Sequence, residues 1–176
     1  YRVIVVLSTR NVERRSWDTI AAHVNAGAGL FVAAGADVDP SVVASLTTWQ
    51  PAVNIVEEQV PQLTMAPTDP RHPIFQPFGA LATNLGQAAV TRAWRVAPDG
   101  WSVIARFSNG MPALLERPLG RGRVVLFASD VDRRWNDLPL HPSFVPFALE
   151  TVRYAAGGNA SAREYLTGEE PPGVGP

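Results

Sequence analysis

Strand-like stretches built on continuous apolar runs lie at positions 2–9 (RVIVVLST), 30–34 (LFVAA) and 123–129 (RVVLFAS). Runs without polar alternation are the pattern of strands covered on both faces. Between the first two, Trp17, Ile20, Ala21 and Val24 recur at helical spacing, and Asn25-Ala26-Gly27 supplies a helix stop. Strand, helix and strand within thirty-five residues predict a βαβ unit of a parallel sheet. After the third run, Pro142 suits a first helical turn, because its missing N–H would be unpaired there anyway. Phe144, Val145, Ala148, Leu149, Val152 and Ala155 then give the expected buried stripe of a closing helix, which ends at Gly157-Gly158.

The middle of the chain reads differently. Residues 102–108, 112–118 and 123–128 predict an antiparallel meander, turning at Asn109-Gly110 and at Gly120-Arg121-Gly122. Residues 88–96 alternate in the manner of a strand, and so, more loosely, do 52–58. Asp39 is the expected N-cap of a short helix at 40–46. Residues 59–80 are rich in proline, which predicts extended pieces and turns in place of a long helix. The expectation is one α/β domain over residues 1–158, followed by a linker-like tail at 159–176 that ends in EEPPGVGP.

Composition removes several chemistries. The net charge is −1, which gives no basic field for nucleic acid. All fifteen basic residues are arginine, so Schiff-base lysine chemistry and a P-loop lysine are excluded. There is no cysteine, hence no thiolate nucleophile, thiolate metal site or disulfide. Apolar stretches stop well short of the roughly twenty residues that cross a bilayer. The chain opens directly on a strand and closes on a Pro/Gly tail, as a domain excised from a longer protein would.

The segment GRGRVVLFASDVDRRWNDLPLHPSFVPFALETVRYAAG, with residues 2–35, resembles the glutamine amidotransferase-like domain of bacterial membrane proteins of the BatA type (aerotolerance-regulator-like). Asp69, His72, Pro73 and Phe75 match a loop that recurs in that family. The resemblance implies a class I glutamine amidotransferase-like, flavodoxin-like fold. It would be a mostly parallel sheet flanked by helices, with an added antiparallel hairpin system and a C-terminal helix. It also implies a membrane-anchored parent protein, a position on the extracytoplasmic side of the bacterial membrane, and protein partners or other domains of the same chain. In active amidotransferases the bend after the second strand presents a cysteine. Laying Gly29 to Gly35 on that pattern puts Ala33 at the nucleophile position, and the second requirement, a His-x-Glu pair near the end of the domain, has no match. ThuA-like domains carry a histidine near this bend, which Ala33 and Ala34 do not supply. The expectation is a non-catalytic interaction or scaffold domain that needs no cofactor.

The alternative is a hydrolase, or a carbohydrate- or metal-binding domain, built on Asp130, Asp132, Trp135, Asp137 and His141. In open α/β sheets, ligands gather outside the carboxyl ends of the strands, and these residues follow one such end. Oxygen ligands at this density suit calcium or magnesium, but the spacing is no EF-hand loop. Arg133 and Arg134 interleave the acids, so Arg–Asp pairing, loop capping and a turn-orienting role for Asp137 are favoured over a metal. Trp135, one of five tryptophans, is a candidate for stacking on sugar, with burial as the commoner fate. A Ser129–His141–Asp69 triad lacks the glycine-flanked elbow that would expose its serine.

Overall fold

The computed structural model describes residues 1–10, 12–39, 55–57 (as backbone) and 62–157. The expected helix at 40–46, most of the strand at 52–58 and the tail at 159–176 lie outside the described residues.

The chain runs β1 (Val3–Val6), α1 (Arg14–Asn25), β2 (Gly29–Ala33), β3 (Ile55–Glu57), β4 (Met65–Pro67), a 3₁₀ run Gln76–Gln87, β5 (Arg92–Trp94), β6 (Ser102–Phe107), β7 (Pro112–Leu119), β8 (Gly122–Phe127), a 3₁₀ turn Leu138–Leu140 and α2 (Phe144–Ala155). Among the described residues six strands form one sheet in the order β1-β2-β8-β7-β6-β4, and β3 pairs with β5 in a separate antiparallel ribbon.

The sheet is mixed, which corrects the mostly parallel sheet expected above. β1–β2 and β2–β8 are parallel, whereas β4–β6, β6–β7 and β7–β8 are antiparallel. The cause is local. Tight turns at Asn109-Gly110 and Gly120-Arg121 send the chain straight back beside itself, so β6, β7 and β8 have to alternate in direction. Parallel pairing survives where a helix carries the chain across, in β1-α1-β2, and where β8 docks beside β2.

β2 and β8 form the middle of the core. All five residues of β2 are buried, as are Val124, Val125, Leu126 and Phe127 of β8. β1 is shorter than its apolar run suggested. It lies at the sheet edge, with Val5 and Leu7 exposed. On α1 the expected stripe holds: Trp17 and Val24 are buried, and Ile20 and Ala21 pack beside them.

On α2 the stripe is rotated from its expected position. Phe147, Thr151 and Ala155 are the buried residues, flanked by Phe144 and Val152, while Val145 is 68% and Leu149 45% exposed. The N-cap is Ser143, and Pro146 is the proline in the first turn. A helix start two residues later than the one set by Pro142, combined with apolar residues nearly all the way round, left the sequence with two stripes to choose from.

Two glycines let the helices sit close. A Cβ on Gly29 would lie 2.0 Å from the Ala155 carbonyl oxygen, and one on Gly122 would lie 2.0 Å from that of Ala28 and 2.3 Å from that of Val24. The last turns of α2 and α1 therefore rest directly on the first residues of β2 and β8.

Candidate functional site

The carboxyl ends of β1, β2 and β8 lie side by side, so the loops that leave them share one rim of the sheet. Thr9 and Arg10 follow β1, Gly35 and Asp37 follow β2, and Ser129 and Asp130 follow β8. The first two loops are tied by backbone: Thr9 N–H donates to the Asp37 carbonyl at 2.8 Å, and Asp39 N–H to Thr9 Oγ1 at 2.7 Å.

Charge links the three loops. Arg134 Nη2 lies 2.8 Å from Asp37 Oδ2 and 2.6 Å from Asp132 Oδ2. Its Nε donates to Asp132 Oδ2 at 2.7 Å and its backbone N–H to Asp132 Oδ1 at 2.8 Å. Arg10 takes the other oxygen of Asp37. The Arg134 hydrogen bond holds the Asp37 carboxyl below its ordinary range, and it is the leading cause that brings Asp132 down to about 2.

Asp130 behaves in the opposite way. It is 4% exposed, and a Cβ on Gly35 would stand 2.5 Å from its own Cβ, so only glycine leaves it room. Asn136 Nδ2 donates to Asp130 Oδ1 at 2.8 Å, to the Asp130 carbonyl at 2.7 Å and to Ser129 Oγ at 3.1 Å. Asn136 Oδ1 accepts from Leu138 N–H at 3.0 Å. Asp130 Oδ2 is buried with no donor. Burial first, and then the neighbouring Asp132, push the Asp130 carboxyl up to about 7.

The structure thus brings Asp130 and Asp132 together and sets the other sequence candidates apart from them. Asp137 Oδ1 accepts from Ala89 N–H at 2.6 Å and lies 3.1 Å from His141 Nε2, which orients the turn before α2. Trp135 is 3% exposed, with its ring centroid 6.2 Å from that of Trp94, and its carbonyl accepts from Thr91 and Arg92. It is a core residue, and its face is closed to a sugar. Among the described residues, no three His, Asp or Glu side chains are placed to hold a metal ion. Ser129 Oγ, fully buried, donates to the Arg92 carbonyl at 3.0 Å. Ala33 is 1% exposed at the bend.

Sequence reasoning passed over Asp37, Arg10 and the central position of Asn136. Asp37 had a signal: it stands two residues beyond Gly35, at the carboxyl end of a buried strand. A second cluster, on the α2 side of the sheet, had none. There Tyr154 donates to Glu116 Oε2 at 2.6 Å, His72 Nε2 stands 3.5 Å from Glu116 Oε1, and the Arg123 guanidinium lies 4.2 Å from the centre of the Tyr154 ring. His72 also accepts Ile74 N–H at Nδ1. An open cleft of about 440 Å³, lined by Arg2, His23, Ala28 and Gly157 among others, lies at the opposite end of the parallel strands. It contains none of the rim residues.

No protein-family model matches the sequence, and no curated protein does. Solved structures do match. A cytoplasmic protein of Salmonella typhimurium is 16% identical with a TM-score of 0.63, over 88% of this chain and 72% of that one. A ThuA-like protein of Parabacteroides merdae is 12% identical with a TM-score of 0.58, over 92% and 72%. The β-galactosidase of Bacillus circulans is 13% identical with a TM-score of 0.58, over 90% of this chain but 23% of the enzyme. A second Salmonella typhimurium match, 19% identical with a TM-score of 0.60, is also described as cytoplasmic. These two matches overturn the extracytoplasmic placement expected from the sequence. No described helix is long and apolar enough to cross a membrane. At these identities the likeness is one of fold: the chain is a mixed α/β protein with the architecture of these structures.

Proposed function

We propose that this chain is a non-catalytic interaction module with a class I glutamine amidotransferase-like, flavodoxin-like fold. It works within a larger bacterial protein of the BatA type, tethered to a membrane through other parts of that protein, and its partners are proteins or neighbouring domains. The observation that carries the reading is the bend after β2. Where an amidotransferase needs a thiolate, this chain has Ala33, buried at 1% exposure, followed by Ala34 and Gly35, which bring no heteroatom side chain. Above the bend, Asp37 and Asp132 are each paired with Arg134. The match to under a quarter of a β-galactosidase supports use of this fold as one part of a longer chain.

Glutaminase, amidase and esterase assays on the purified chain test the reading, with no turnover above buffer as the expected result. Turnover abolished by a single substitution at the rim overturns it. Apolar spans of about twenty residues elsewhere in the complete open reading frame are the expected mark of the tethered parent, and a reading frame without them removes that half of the proposal.

A second reading, acid-assisted hydrolysis, draws on the separation of Asp130 (about 7) from Asp132 (about 2), since such separated pairs are how one site holds an acid beside a base. It requires turnover that falls as Asp130 ionises and disappears in Asp130→Asn.

A further inference from the structure

We propose that Asp130 is a proton-operated latch on the rim of the sheet. Protonated, it donates to Asp132 and holds the 130–137 loop shut against Gly35; ionised, it repels Asp132 and lets that loop open. The inference is independent of whether the rim binds a partner or performs chemistry.

The geometry carries it. A buried carboxyl oxygen without a donor is destabilised as an anion and satisfied as an O–H. Oδ2 of Asp130 is such an atom, and Asp132 is the carboxylate that acts on it. Oδ1 offers little relief, because the Asn136 amide that serves it also serves the Asp130 carbonyl and Ser129.

Charge on the surrounding elements gives the same answer. Arg10 from the β1 loop and Arg134 from the 130–137 loop bring two positive charges. Asp37 from the β2 loop and Asp132 bring two negative charges, and these are already paired. Over these four paired groups the sum is zero, so ionisation of Asp130 adds a charge of −1 that none of them is free to offset. Of the charges acting on Asp130, Arg134 favours the anion and Asp132 opposes it, but Arg134 is committed to two other carboxylates. From β2 the facing group is the Gly35 backbone, and from β5 Arg92 gives its carbonyl to Ser129.

Shutting the latch has structural consequences. The 130–137 loop carries the Arg134 amide bonded to Asp132, and Asn136, which accepts the Leu138 amide and holds the loop to Ser129. Release of Asp130 frees these amides to exchange and uncovers the rim formed by the three strand ends.

The test uses the whole 176-residue chain. Carbon-13 NMR of the aspartate carboxyls follows Asp130 directly, while hydrogen exchange reads the amides of Arg134 and Leu138 between pH 6 and 8. The expected result is a neutral midpoint for Asp130, with exchange at both amides rising roughly tenfold per pH unit beyond the intrinsic rate as that midpoint is approached from below and levelling off above it. In Asp130→Asn the amide N–H donates to Asp132 at every pH, so the extra rise disappears. A carboxyl that titrates in the ordinary range near 4, amides indifferent to its ionisation, or an unchanged rise in Asp130→Asn each overturns the latch. If the variant fails to fold, the two measurements on the natural sequence decide the question alone.

Discussion

Gly29→Ala adds one methyl group where the last turn of α2 lies on the start of β2. The new carbon would lie 2.0 Å from the Ala155 carbonyl oxygen and 2.4 Å from its carbon. Both are backbone atoms, so no side chain can rotate away, and a separation near 3.4 Å requires the helix end to move by more than 1 Å. That movement has two routes. Lifting the helix opens the packing around Ala155 and Phe147, which are buried against the sheet; unwinding the last turn breaks the 2.6 Å bond from Tyr154 to Glu116. Overpacking typically costs 1–3 kcal/mol, and a hydrogen bond to a charged group about 1.5–3 kcal/mol. Either route gives about 3 kcal/mol, or a fall in Tm of roughly 6–12 °C for a domain of this size. Thermal and urea unfolding followed by circular dichroism measure it. Gly86→Ala is the control: its nearest neighbour would be Met65 O at an ordinary 3.8 Å, and the expected change is neutral to about 1 kcal/mol stabilising. Tyr154→Phe added to Gly29→Ala separates the routes, because its cost disappears in the double variant only if the last turn has already unwound. Equal stability of Gly29→Ala and Gly86→Ala would refute the close seating of α2 on β2.

The remaining predictions concern the rim, the helix face and pH. Asn136→Ala leaves Leu138 N–H without its acceptor and removes the donor to Ser129 and Asp130. Chemical denaturation should show a loss of about 3 kcal/mol or more, and a loss within about 0.5 kcal/mol contradicts the network. Phe147→Ala should cost about 3–5 kcal/mol, while Val145→Ser and Leu149→Ser stay within about 0.5 kcal/mol; the reverse order would restore the stripe first expected from the sequence. Between pH about 2 and about 7 the Asp130–Asp132 pair holds one proton, whereas the unfolded chain holds two below about 3.9 and none above. The pair's contribution to stability should therefore rise from pH 2 to about 4 and fall from 4 to 7, and Asp130→Asn should abolish the fall, as unfolding measured across pH reveals. At Glu116, burial works to raise the carboxyl, but the nearby His72 and the hydrogen bond from Tyr154 overcome it and the carboxyl is lowered. Its stabilisation is present above the unfolded value and is lost as pH falls through the folded one, so Glu116→Gln should flatten the acid limb of the stability curve.

Wherever a short-range rule sufficed, the sequence was readable. The β2 run has apolar residues at every position because both of its sides are covered, and β6, β7 and β8 are separated by turns with one short solution each. α1 has a single stripe of bulky residues, so it had one way to face. α2 has apolar residues on two sides, and its burial depended on the angle at which it meets the sheet. Trp135 could not be placed by pattern at all, since a loop tryptophan reads alike whether it lies under the chain or on it.

The candidate site follows the same division. Asp132 and Arg134 are close in sequence, and their pairing was visible; Asp130, expected to pair in the same way, is buried and bonded by Asn136 instead. Asp37 and Arg10 join them from 97 and 124 positions away (134 − 37 and 134 − 10), a distance no local pattern can cross. The same holds for His72, Glu116, Arg123 and Tyr154, which lie on four separate segments.

By itself, then, the sequence determined the buried strands β2 and β8, the helix α1 with its single stripe, and the turns of the meander, and it sets alanine at position 33. These depend on neighbours within a few residues, where backbone preference and hydrophobic periodicity act directly. Tertiary structure alone decided that the sheet is mixed, which side of α2 is buried, and that Asp130 is a buried acid beside an ionised Asp132. Each of those outcomes depends on groups brought together from distant parts of the chain, because desolvation and charge act through space and take no account of order along it.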